Sequence, residues 1–132
     1  MTKTGAVRGD WKTRPMPEAR ATIALEHSYT LAEFAALQAG LVPEEMEDKW
    51  FIFFEDPWLY LHRSWTGFCI FQVRFETTAT GVRVAEALVN RDPAQYGGTS
   101  AREDASLLAI LLDGRARRDV RGAMIGHIKG RA

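Results

Sequence analysis

The sequence predicts an α+β domain organised around antiparallel hairpins, and three features carry that reading. Thr30 with Glu33, and Ser100 with Glu103, are two capping boxes, each opening a run of helix-compatible residues. Between them lie compact aromatic and β-branched runs at residues 50–54 (WFIFF), 58–62 (WLYLH) and 68–76 (FCIFQVRFE), separated by turn-forming residues. A block of strands flanked by helices points to a layered domain in which the helices cover one sheet face. The expected architecture is an antiparallel meander of about four strands, with one helix before it and two C-terminal helices.

The elements follow in chain order. Residues 1–19 mix Gly, Pro, Thr and charge without periodicity and read as a flexible N-terminal arm. Residues 20–132 read as one α+β domain. Residues 20–26 (RATIALE) fit either a short strand or the start of a helix. The first helix is expected from the Thr30 cap to about Ala39, with Tyr29 and Phe34 placed as a hydrophobic staple and Gly40 closing the helix. Its apolar face is expected to dock on the core.

Residues 43–49 (PEEMEDK) form an acidic connector. The first two strands are joined through Glu55, Asp56 and Pro57, and Ser64 to Gly67 makes a second break. In the third strand Cys69, Phe71, Val73 and Phe75 alternate with Gln72, Arg74 and Glu76, so the first set is expected to face the core. Residues 77–81 form a third turn and residues 82–89 a fourth strand, although Ala85 to Leu88 is also helix-compatible. The second capped helix is expected to run to about Leu112 and stop at Gly114, and a last helix to span residues 116–128. Gly122, Gly126 and Gly130 are spaced four apart there. That stripe suits close approach by a second copy of the chain, hence a homodimer; a frayed end is the plainer reading.

Length and composition set limits. A chain of 132 residues, 46% hydrophobic and 26% charged, suits one core. Its net charge of zero gives no overall pull toward nucleic acid or anionic lipid, and neither is an expected partner. The charge is uneven. Residues 1–20 balance to +3 and residues 113–132 to +4, leaving −7 between them. Basic ends on an acidic body suit a phosphate-bearing partner, but solvated termini commonly collect charge. Cys69 is the only cysteine, which rules out an intramolecular disulfide and suits a reducing, cytoplasmic setting. No stretch approaches the ~20 apolar residues needed to span a bilayer.

Candidate chemistry concentrates at the second hairpin tip. Tyr60, His62, Arg63, Ser64, Trp65 and Thr66 supply a guanidinium for phosphate or carboxylate, an imidazole, hydroxyls and an indole for stacking, and Gly67 permits close backbone approach. Against this, Trp65 would serve equally to plug the core edge, with His62, Ser64 and Thr66 satisfying turn amides. Asn90, Arg91 and Asp92, followed by Tyr96, Gly97 and Gly98, form a second polar loop that would close over the same place; Asn90 and Asp92 also suit plain turn formation.

His62 and Ser64 are two apart and would point the same way on a regular strand, but no acid is placed to orient the histidine and no nucleophile elbow is present. Cys69 reads as a small core residue. His27, His62 and His127 lack zinc-ligand spacing, and no phosphate-cradling glycine motif occurs, so neither a metal nor a cofactor is expected.

Residues 50–76 (WFIFFEDPWLYLHRSWTGFCIFQVRFE) and residues 89–99 (VNRDPAQYGGT) together resemble a group of small bacterial proteins sometimes labelled ADP-ribosyl-(dinitrogen reductase) hydrolases. The resemblance covers about half the chain and includes the HRSWTG and NRDP words. It implies ADP-ribose chemistry. The glycohydrolases that carry this name are larger, all-helical enzymes with clustered carboxylates and magnesium, and this chain has neither the length nor the cluster. The resemblance therefore favours an accessory or binding role over hydrolysis.

Three readings follow. In the first the chain is a non-catalytic module for a nucleotide-like molecule or an ADP-ribosylated protein, with Arg63 on phosphate, Trp65 stacking, and His62, Ser64 and Asn90 orienting. The second is a hydrolase of ADP-ribose linkages using His62 or Asp92 in acid–base work. The third is a protein–protein adaptor anchored by Trp58 and Trp65.

Overall fold

The computed structural model describes residues 5–117. Six strands form one antiparallel sheet: β1 (Arg20–Thr22), β2 (Ser28–Tyr29), β3 (Trp50–Glu55), β4 (Trp58–Arg63), β5 (Cys69–Thr77) and β6 (Val82–Asn90). Two α-helices, α1 (Leu31–Ala39) and α2 (Ala101–Ala116), complete the described elements, with a single 3-10 turn at Arg8–Asp10.

The sheet order β1-β6-β5-β4-β3 contains the expected meander as β3 to β6. The expectation of about four strands is corrected to six, because β1 and β2 both pair with β6, one toward each of its ends. Segments of three and two residues are too short to display alternation, so their pairing is visible only in three dimensions. The undecided residues 20–26 begin as strand. The last helix expected over residues 116–128 lies almost wholly outside the described residues, as does the glycine stripe.

The capped helices form as local chemistry dictates. The Thr30 hydroxyl accepts from the Glu33 amide at 3.0 Å, and the Glu33 carboxylate accepts from the Thr30 amide at 2.9 Å. Tyr29 and Phe34 both pack on Phe75, with centroids 6.4 and 5.3 Å away. Gly40 ends α1 at φ 68°, a region that favours glycine.

At α2 the Ser100 hydroxyl accepts from the Glu103 amide at 3.2 Å. This helix runs through Gly114 instead of stopping there. An interior glycine costs about 1 kcal/mol, but Ala116 is buried in the core and the Arg115 guanidinium donates to Gly40 O at 2.8 Å. Tertiary contacts outweigh the local preference.

Both helices lie on one sheet face. Leu37 of α1 and Leu108, Leu112 and Ala116 of α2 join Ile52, Leu59, Leu61, Phe71, Val73 and Val89 in the main core. The other face carries a smaller cluster of Ala6, Phe51 and Phe53 with Val42 and Tyr60. The N-terminal segment covers part of it. The Ala6 amide donates to Ala39 O, the Trp11 indole to Ser64 O at 2.7 Å, and the Arg14 amide to Gly67 O at 2.8 Å. The Arg8 guanidinium sits 4.8 Å from the Phe53 ring centroid and pairs with Glu55 at 2.7 and 3.0 Å.

A β-bulge decides which side chains face which layer. Leu61 pairs with Phe71 and His62 with Cys69, leaving Ile70 as the extra residue in β5. The alternation expected from Cys69 to Phe75 therefore breaks at its first member. Ile70 and Phe71 both enter the main core. Cys69 instead lies beside Tyr60, His62 and Gln72 on the opposite face. A bulge of this kind re-aims side chains without altering the sequence period that precedes or follows it. Leu41 adds one bridge to the free edge of β3, exchanging both backbone hydrogen bonds with Ile52 at 2.9 Å. Among the described residues, no helix is long and apolar enough to cross a membrane.

Candidate functional site

The β4–β5 connection and the loop after β6 meet at one end of the sheet. In the first, the Gly67 amide donates to Arg63 O at 2.8 Å and the Arg63 amide to Phe68 O at 2.9 Å, closing a tight turn. Gly67 has φ 80°, and the Lys12 backbone passes within 3.2 Å of where a Cβ would stand. The turn thrusts Trp65 outward, leaving it 63% exposed. Its indole donates to Met46 O at 3.1 Å, and Lys49 Nζ lies 5.9 Å from its ring centroid. Arg63 points to the helix-covered side, where its guanidinium lies 5.2 Å from the Trp50 ring centroid.

The second loop is built by its own polar side chains. Asn90 Oδ1 accepts from the Asp92 amide at 2.8 Å, and Asn90 Nδ2 donates to Cys69 O at 2.9 Å and Gln95 Oε1 at 2.8 Å. Asp92 Oδ1 accepts from the Ala94 amide at 2.9 Å. Arg91 donates to Gly98 O at 3.1 Å. It also lies 2.6 Å from Asp104 Oδ2, off the line of a directed hydrogen bond, so this contact is chiefly one of charge. The Tyr96 hydroxyl donates to Asp104 Oδ1 at 2.5 Å. Burial, and then this bond, push the Tyr96 phenol up to about 12, which keeps it protonated. Gly98 folds against the Tyr96 ring so closely that any Cβ would overlap it.

Between the two loops lies a cleft of about 610 Å³. One wall is Lys49, Arg63, Trp65 and Thr66; the other is Gln95, Tyr96, Gly97 and Gly98. No carboxylate lines it. It presents two cations, two aromatic rings, a hydroxyl, an amide and exposed glycine backbone. Such a surface suits a ligand with a planar ring and an anionic group.

The nine residues expected to form the site separate into three groups. Arg63, Trp65 and Thr66 line the cleft. Tyr60 and His62 belong to a different hollow on the opposite sheet face, because alternate residues of β4 point to opposite faces. Ser64, Asn90, Arg91 and Asp92 are framework. Ser64 Oγ donates to Asp48 O at 2.6 Å and its amide to Lys49 O, which holds the connector carrying Lys49 in place. Asn90, Arg91 and Asp92 shape the loop that carries Gln95 to Gly98. Lys49 and Gln95 were not foreseen. Lys49 ends an acidic run whose solvated face is its ordinary role, and Gln95 sits in a turn with no distinguishing pattern.

No family model, curated protein or solved structure matches the chain.

The electrostatics oppose a Ser–His pair. Ser64 gives its proton to Asp48 O, whereas His62 Nδ1 lies 2.8 Å from Gly67 O, so the ring proton resides on Nδ1. Desolvation by burial pushes the His62 pKa below its ordinary value; the Gly67 carbonyl pulls the other way, and the nearby Arg8 charge adds to the lowering. Folding therefore disfavours the imidazolium. The unfolded chain takes up the proton near pH 6.5, so the native state should lose stability as pH falls below about 6.5. We expect the urea midpoint of wild type to drop more steeply between about pH 7 and pH 5 than that of His62→Phe; identical slopes would show that His62 is not the group responsible. Among the described residues, no group of three or more His, Cys, Asp or Glu is arranged to hold a metal ion.

Proposed function

We propose that the chain is a non-catalytic binding module for a nucleotide-like anionic ligand, with ADP-ribose-containing molecules as the expected class. The single observation behind this reading is the carboxylate-free cleft that gathers Lys49, Arg63 and Trp65 beside Tyr96. Lys49 and Arg63 meet the phosphate oxygens. Trp65 offers an exposed π-face for the base, and the Gly97–Gly98 backbone admits close approach by a ribose or phosphate. A cleft of about 610 Å³ lies within the span typical of small-molecule sites. The choice of ADP-ribose within that class rests on the resemblance carried by the HRSWTG and NRDP words. The lone buried thiol suits a cytoplasmic setting.

Isothermal titration with ADP-ribose and with NAD is the direct test. We expect saturable binding, weakened about 10- to 100-fold by Arg63→Ala, in line with the ~1.5–3 kcal/mol of a hydrogen bond to a charged group. Quenching of Trp65 fluorescence should track the same isotherm and vanish in Trp65→Phe. A wild-type protein silent to both ligands would end this reading.

The hydrolase alternative would require His62 or Asp92 beside the ligand, and both lie outside the cleft lining. The adaptor alternative draws on one observation. Trp65 and Met46 stand exposed side by side, and Trp11 borders the same surface. Stoichiometric capture of one protein partner, abolished by Trp65→Ala in a chain that binds neither nucleotide, would favour it.

A further inference from the structure

On the opposite sheet face a second hollow, of about 260 Å³, lies between the N-terminal segment and the strands. Arg8, Arg14 and Arg20 border it, and Tyr60, His62 and Gln72 form the strand side. No carboxylate is among its lining residues. Arg8 is already matched by the two-pronged contact with Glu55. Among the described residues, neither Arg14 nor Arg20 meets a carboxylate; Arg14 instead lies over the Phe68 ring at 5.9 Å. The charge of Arg20 is felt inside, together with that of Arg8. Burial pushes the Cys69 thiol in the hollow's wall up to about 12, while Arg8 and Arg20 both act on it in the other sense. Unmatched guanidiniums beside a partly desolvated hollow favour an anion.

His62 narrows the class of anion. It is 1% exposed, and its Nδ1–H is engaged by Gly67 O, so Nε2 carries a lone pair and acts only as an acceptor. Nε2 is buried and has no hydrogen-bond partner in the described protein. A buried polar atom left in this state costs roughly 1–3 kcal/mol. A fully deprotonated anion would meet the arginines but would repel that lone pair. An oxyanion that keeps one O–H satisfies both.

We propose that this hollow is a binding site for a small protonated oxyanion, of which monohydrogen phosphate is the type: its charged oxygens meet Arg14 and Arg20, and its P–O–H donates to His62 Nε2. This site is independent of the nucleotide cleft and uses none of its residues. The Arg8–Glu55 pair holds the N-terminal wall in place.

Inorganic phosphate, sulfate and methyl phosphate, each titrated into the full chain at about pH 8, provide the test. At that pH a phosphomonoester has lost its last proton, sulfate has none, and only inorganic phosphate still carries an O–H. We expect phosphate to bind at least roughly tenfold more tightly than either of the others, the worth of one charge-assisted hydrogen bond. The His62 Nε2 resonance in 15N spectra should move with phosphate. Arg14→Ala and Arg20→Ala should each weaken phosphate about tenfold, whereas the movement of the His62 Nε2 resonance with phosphate should persist in Arg63→Ala, which alters only the other cleft. Three outcomes overturn the proposal: no saturable phosphate binding, equal affinity for sulfate, or loss of phosphate binding in Arg63→Ala with none in the Arg14 and Arg20 variants.

Discussion

Arg91→Met should destabilise the protein by about 3–5 kcal/mol, the range for removing one partner of a buried ion pair. Asp104 is almost fully buried on α2, and Arg91 is the only cation within ion-pair reach of it among the described residues. Methionine keeps the stem of the arginine but leaves the carboxylate facing a low-dielectric wall with only the Tyr96 hydroxyl as donor. The same change frees Gly98 O from the guanidinium and loosens the loop that forms one wall of the cleft. Urea unfolding should show the fall, and nucleotide affinity should drop with it. Adding Asp104→Asn should restore much of the loss, because the penalty lies in the uncompensated charge more than in the missing contact. A single Arg91→Met variant as stable as wild type would show that the pair is not coupled as its burial suggests.

Gly40→Ala ranks with it. Gly40 sits at φ 68°, ψ −156°, a region open essentially to glycine alone, where another residue costs about 1–3 kcal/mol. A Cβ there would also overlap the Ile52 carbonyl oxygen, which is backbone and cannot swing aside. The two terms together point to roughly 3–5 kcal/mol, among the larger single-site effects. Thermal unfolding should shift down by on the order of 10 °C. The damage should spread, because Gly40 joins three elements: it closes α1, touches β3 through Ile52, and its carbonyl accepts from Arg115 on α2. A midpoint within a degree or two of wild type would show that the chain relaxes at this junction at little cost.

The pattern of what was legible in the sequence follows the reach of each signal. The Thr30 box, the turn residues around Asp56 and Pro57, and the aromatic runs of β3 and β4 act within a few residues, and those elements appear where local chemistry places them. β1 and β2 are different. Ser28 and Tyr29 form a strand only because β6 offers Val82 and Arg83 as partners. The bulge at Ile70 likewise has no mark of its own, and it moved Cys69 from the expected core face to the opposite one.

The candidate site divides along the same line. Arg63, Trp65 and Thr66 belong to a turn whose residues announce exposure, and they do line the cleft. Asn90 and Asp92 have the composition of a binding loop and also that of a self-bonded turn, and local hydrogen bonding took the second course. His62 looked like a neighbour of Arg63, but strand alternation sends consecutive side chains to opposite faces. Lys49 and Gln95 reach the cleft only through the fold, one held through its carbonyl by the Ser64 backbone amide and the other by the Asn90 side-chain amide.

The bridge between Leu41 and Ile52 bears on self-association. β3 is the outermost strand of the meander and contains five consecutive aromatic and aliphatic residues without charge, Trp50 to Phe54. An uncovered strand of that composition is a template onto which a second chain adds, the first step toward fibrils. Leu41 occupies the outward amide and carbonyl at its midpoint. The crossing from α1 to β3 therefore acts as a guard rail at this point, denying a stranger the backbone groups of Ile52 in the middle of the run.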